Sequence, residues 1–169
     1  MLFDSLTNDE IVDSESALEF MKEATKLASS AELEDLSERV SRKAECFQGH
    51  LSLSLVDKLD EGNFDGIVSL IFSIGRKSKR LIDANGFENL RNMIRELLYG
   101  DAPVEDRFSL FVNQVDGIEE KMRINFAGEL LHYSMPDRYW LWTNWIWDPD
   151  NNTGALPSGP GGGRFARGY

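Results

Sequence analysis

Cysteine is almost absent. The lone Cys46 leaves no partner for an internal disulfide. Histidine is as scarce: His50 and His132 lie far apart, so no His/Cys metal spacing exists and no metal or cofactor is expected. Long apolar runs are missing too. The most apolar stretch, Ile67 to Ile74, is far shorter than the about 20 residues that span a bilayer, so no membrane partner is expected. The first residues lack the positive start and apolar run of a signal peptide, which points to the cytoplasm. Without such a signal the glycosylation pattern Asn151-Asn152-Thr153 carries no weight. Basic residues are few, 18 against 29 acidic ones. The resulting charge of −11 over 169 residues excludes a protein coated in basic surface for nucleic acid. There is no phosphate-binding Gly-x-x-x-x-Gly-Lys-Ser/Thr loop, no Gly-x-Ser-x-Gly elbow and no internal repeat. The acid-rich start (Asp9, Glu10, Asp13, Glu15) lacks the Asp-x-Asp-x-Asp-Gly spacing of a calcium loop and reads as a solvated face.

What is present is enough for a folded domain. Hydrophobic residues make up 41% and charged residues 28% of the chain. A chain of this length buries about two-thirds of its unfolded surface, enough for a core without covalent staples. Charge is uneven along the sequence. Residues 1–74 hold 16 acids and 6 bases, whereas residues 75–149 hold 12 and 10, so an anion-binding surface belongs in the second part.

Apolar residues recur at helical steps and nowhere alternate as in strands. Ser14 or Ser16 would cap a helix carrying Leu18, Met21, Thr25 and Ala28. Leu33, Leu36, Val40, Ala44 and Phe47 form the next stripe, with Ser30 as its cap and Gly49 as its stop. Phe64, Ile67, Val68, Ile71 and Phe72 mark an amphipathic helix. Gly86 separates a short segment from the stripe Leu90, Met93, Ile94, Leu97 and Leu98. Gly100-Asp101-Ala102-Pro103 ends that helix and opens the next. Val104, Phe108, Phe111, Val112 and Val115 follow, then Phe126, Leu130 and Leu131. The expected class is all-α, a single-domain orthogonal helical bundle over 1–149, with acidic helices in 1–60 and a second helical part in 61–149. Residues 150–169 read as a tail, because Pro157-Ser158-Gly159-Pro160-Gly161-Gly162-Gly163 holds neither helix nor strand cheaply. Arg164, Phe165, Arg167 and Tyr169 make it either a short docking peptide or a floppy end.

Gly75-Arg76-Lys77-Ser78-Lys79-Arg80 concentrates four cations in an acidic chain. Arg76, Lys77, Lys79 and Arg80 suit contacts to phosphate, since such cations release the counterions of nucleic acid. The plainer alternative places them at the C-terminus of the preceding helix, complementing its dipole and pairing with acids.

Val115-Asp116-Gly117-Ile118 lies between two helical stripes, with Lys121 following. A glycine-rich turn there offers backbone amides to a DNA phosphate. Downstream run Phe126-Ala127-Gly128-Glu129-Leu130-Leu131-His132-Tyr133 and Pro136-Asp137-Arg138-Tyr139-Trp140-Leu141-Trp142. Together these about 30 residues resemble the helix-hairpin-helix region of the DNA glycosylase superfamily. The resemblance implies a glycosylase-like helical fold with Gly117 in the hairpin and Lys121 where bifunctional members place a nucleophilic lysine. This chain departs from the pattern in ways that bear on chemistry. Glu119 and Glu120 stand where the second glycine and the phosphate belong, which is repulsive. About four extra residues separate Gly117 from Ala127, roughly one helical turn. Thr143 and Asn144 occupy the region of the catalytic aspartate, and neither supplies a carboxylate. Asp148 is off the expected spacing. No catalytic residue is therefore assigned.

All four tryptophans, Trp140, Trp142, Trp145 and Trp147, fall within eight residues. They suit a partner-binding surface or a base-stacking platform; alternatively, they pack a last helix onto the bundle. In a helix, Trp140 and Trp147 share one face and Trp142 and Trp145 another, so one pair would be exposed. His132 reads as a hydrogen-bonded core residue and Cys46 as a buried, inert one. The expected function is a non-catalytic binding or accessory protein acting through protein–protein contacts, with the acidic helices open to a basic partner. The runner-up is a DNA-binding accessory factor using the 76–80 cations beside the hairpin. Third is an active glycosylase or lyase using Lys121 with a carboxylate such as Asp148.

Overall fold

The structure is a computed structural model and describes residues 25–141 together with Leu18, Lys22 and Thr143. The expected caps Ser14 and Ser16, Met21, and the whole of 150–169 lie outside the described residues. Among those described, all regular structure is helical: Leu18, Lys22 and residues 25–27 are helical, followed by α1 (Ser30–Leu51), a 3₁₀ turn (Val56–Lys58), α2 (Glu61–Ser69), α3 (Ser78–Asn85), α4 (Phe87–Tyr99), α5 (Val104–Gln114) and α6 (Glu120–Ser134). The chain divides between Arg42 and Lys43 into two units.

In the first unit, α1 begins one residue earlier than its sequence signal suggested. Ser29 is the cap: its hydroxyl accepts from the Glu32 amide, while its own amide and hydroxyl donate to the Glu32 carboxylate at 2.8 Å each. This reciprocal capping box satisfies orphan donors and holds the Glu32 carboxyl below the usual glutamate range, through the Ser29 amide first and its hydroxyl second. Leu27, Leu36 and Val40 are exposed here. Arg42 and Glu38 pair at 2.9 Å one helical turn apart.

In the second unit, α1 runs through Gly49 to Leu51. A mid-helix glycine costs about 1 kcal/mol relative to alanine. Burial of Leu51 and the Tyr99 hydroxyl, which donates to the Leu51 carbonyl at 2.7 Å, outweigh that cost. Phe47 and Leu51 join the core, where Phe47 meets the Tyr133 ring at 5.3 Å. Asp60 caps α2 by accepting from the Asn63 amide at 2.8 Å. The helix ends at Ser69, earlier than the apolar spacing implied. Gly75 explains the tightness of the following segment: a Cβ there would stand 3.1 Å from the Ser69 carbonyl oxygen. Gly86, at φ 77°, separates α3 from α4 as expected. Helix α4 touches α3, α5, α6 and the 3₁₀ turn, so it is the hub.

The stripes of α4, α5 and α6 converge on Ile94, Leu97, Phe111, Phe126 and Leu130, with Phe111 edge-on to Phe126 at 5.4 Å. Two arginines secure the ends of preceding helices. Buried Arg107 donates to the carbonyls of Leu97 and Ala102, and Arg123 donates to those of Val112 and Val115 at 2.9 and 3.2 Å. Cations at a helix C-terminus complement its dipole. No helix among the described residues is long and apolar enough to cross a membrane.

Candidate functional site

The 76–80 cluster does not sit at a helix C-terminus. Helix α2 has already ended, and two linked turns intervene: the Ile74 amide donates to the Ile71 carbonyl at 3.1 Å and the Lys77 amide to the Ile74 carbonyl at 2.8 Å. Arg76 lies in these turns, Lys77 precedes α3, and Lys79 and Arg80 are in its first turn. The cations thus stand at the positive end of a helix dipole, where like charge is unfavourable without an anion. Arg76, Lys79 and Arg80 are exposed and Lys77 is half-buried. None of the four side chains hydrogen-bonds or pairs with a carboxylate among the described residues. Five cations elsewhere are paired: Arg39 with Asp35, Arg42 with Glu38, Lys43 with Glu129, Arg91 with Glu88 and Arg95 with Asp57. The nearby Asp65 carboxylate takes a hydrogen bond from the Ser78 hydroxyl. The dipole half of the plainer reading therefore fails for this cluster, and its acid-pairing half finds no partner among the described residues.

The turn between α5 and α6 packs directly on α3. Gly117 has φ 87°, and a Cβ there would stand 2.9 Å from Ala84 Cβ and 3.0 Å from the Arg80 carbonyl oxygen. Asn85 clamps the same turn. Its side-chain amide donates to the Asp116 carbonyl at 3.0 Å, and its side-chain oxygen accepts from the Asp116 amide at 2.8 Å. Arg80 and Gly117 are thus brought together, and the glycine has a packing reason independent of phosphate. Glu119 and Glu120 are exposed at the start of α6, as is Lys121 in its first turn. Asn85 escaped the sequence reading because a clamp on a distant backbone leaves no local pattern.

Trp140 exposes 69% of its surface. The described residues 139–141 and 143 are not helical, so helical face-sharing does not apply to them. Tyr139 and Leu141, on either side of it, are half-buried, and Thr143 is buried. Tyr139 is held twice: its carbonyl faces His132 Nδ1 at 2.9 Å, and its hydroxyl accepts from Arg107 at 3.4 Å. A carbonyl only accepts, so Nδ1 carries the proton in this contact. Trp142, Trp145, Trp147, Asn144 and Asp148 lie outside the described residues.

A further ionic pair was not visible in the sequence. Lys43 reaches Glu129, which is 7% exposed, and its ammonium lies 4.4 Å from the Tyr133 ring centre. Burial first, and the Glu129 charge second, push the Tyr133 hydroxyl up. Cys46 is half-buried rather than buried; burial pushes its thiol up, which lowers its thiolate fraction. Among the described residues, no group of three or more His, Cys, Asp or Glu is placed to hold a metal ion. Compared with known families, curated proteins and solved structures, the chain matches none.

Proposed function

We propose that the protein is a non-catalytic, nucleic-acid-binding accessory factor on a degenerate helix-hairpin-helix glycosylase-like fold. The observation that carries this reading is the group of four cations, Arg76, Lys77, Lys79 and Arg80, without partners among the described residues, beside the Gly117 turn in an acidic chain where Arg39, Arg42, Arg91 and Arg95 are paired. Such cations gain favourable free energy on phosphate because they release the counterions condensed on nucleic acid. Thr143, in the region of the family's catalytic carboxylate, favours binding without chemistry. A single cysteine suits the reducing cytoplasm, where we place the protein. The test is fluorescence anisotropy with duplex and single-stranded oligonucleotides across a salt series. Wild type is expected to bind at low salt with steep salt dependence, and the variant with all four cations changed to Ala is expected to lose it. No binding at low salt overturns the reading.

Trp140 favours a second reading, action through protein–protein contacts. Exposed tryptophans are enriched among the residues that dominate interfaces. The measurement is affinity capture with wild type and Trp140→Ala. A partner retained by wild type and lost in the variant supports this reading. Equal retention by both excludes Trp140 as the anchor.

A further inference from the structure

Phe72 belongs by spacing to the apolar stripe of Phe64, Ile67, Val68 and Ile71, yet it exposes 90% of its surface. Its neighbours explain this. Ile71 and Ile74 are fully buried and pin the chain on either side. Gly75 lets the segment return close to the end of α2. The ring is therefore held in water by the packing of the residues around it. Four residues later the cations begin. Even fully extended, Phe72 and Arg76 would be at most about 14 Å apart, and the two linked turns shorten that span.

We propose that Phe72 and the cations Arg76, Lys77, Lys79 and Arg80 form one binding site for single-stranded nucleic acid. The ring stacks on an unpaired base while the cations contact the flanking phosphates. An exposed aromatic beside a basic track is the arrangement that such ligands use, because every base offers a π-face. In a duplex those faces are already stacked, so a surface ring adds nothing to duplex binding. A base face and phosphates are common to both kinds of strand, so DNA and RNA strands are expected to bind alike. This inference rests on the nucleic-acid reading above and names its ligand.

The test uses the full chain, with labelled oligodeoxythymidine, oligouridine and duplex DNA, and with anionic phospholipid vesicles in parallel. Variants are Phe72→Ala, Phe72→Trp and the four-cation Ala variant, each checked for unchanged helical circular dichroism. The expected result is tighter binding of both single strands than of duplex. Phe72→Ala should weaken single-strand binding by on the order of tenfold or more, leave duplex binding unchanged, and be rescued by Phe72→Trp. Log affinity against log salt should have a slope of about −3 for wild type, for four phosphates on a single strand, and a slope near zero for the four-cation variant. Equal binding of duplex and single strands with no effect of Phe72→Ala overturns this inference and leaves the broader reading intact. No binding of any oligonucleotide overturns both. Phe72-dependent binding of vesicles alone reassigns the surface to a membrane and overturns both.

Discussion

Gly117 combines a positive φ with close contact to α3, so it has two separate reasons to resist a side chain. Gly117→Ala is expected to destabilise the protein by about 1–3 kcal/mol, measured by urea denaturation. An unchanged midpoint would mean that the turn relaxes away from Ala84 at little cost. Lys43 and Glu129 pose a different problem, since each is largely removed from water and each answers the other. Lys43→Met leaves a buried carboxylate alone and is expected to cost about 3–5 kcal/mol. Changing Glu129→Leu in the same chain should restore much of that loss, because no uncompensated charge then remains. Four denaturation curves, completing the double-mutant cycle, measure the coupling.

At the scale of elements, α1 gives two opposite predictions. Gly49 has open space around it inside the helix, so Gly49→Ala is expected to stabilise by about 0.5–1 kcal/mol, read as a raised melting temperature. The capping box at the other end weakens in acid. The carboxyl of Glu32 is lowered in the folded state, so its contribution is present above the ordinary glutamate pKa of about 4.3 and is lost as pH falls through the lower folded value. Amide chemical shifts at Ser29 and Glu32 should follow that titration, and Ser29→Ala, which keeps the amide donor and loses the hydroxyl, should move its midpoint part of the way back towards the ordinary value. The helices of the second unit were readable from sequence where apolar spacing agreed with punctuation: Gly86 and the Gly100–Pro103 segment bound α4. Reading failed where spacing and packing disagreed. Phe72 keeps the period of α2 past its end, since periodicity cannot register the tight return at Gly75. Gly49 carries a stop signal that buried Leu51 overrides. The cations at 76–80 were legible as a cluster. Their position before a helix, and their lack of acidic partners among the described residues, depend on where α2 stops and on which side chains the fold brings near.

At the scale of the whole molecule, local and total charge have opposite signs around 76–80. A chain of net charge −11 repels a polyanion at long range, while the cluster attracts it at short range. Lowering pH from neutral towards 5 begins to discharge carboxylates but leaves arginine and lysine charged. Oligonucleotide affinity is therefore expected to rise over that interval, as measured by anisotropy at fixed ionic strength. Affinity that is flat in pH would mean that the remote acids do not reach the site. The two arginines that hold helix ends carry a consequence of another kind. Arg107 and Arg123 bind main-chain oxygens, which every amino acid possesses. Evolution can therefore rewrite the surface side chain at Ala102 without disturbing its bond to Arg107, whereas a lysine at 107 could not grip separate oxygens with one planar fork. Divergent descendants of this chain should keep the two guanidinium groups long after the side chains at the carbonyl positions have drifted.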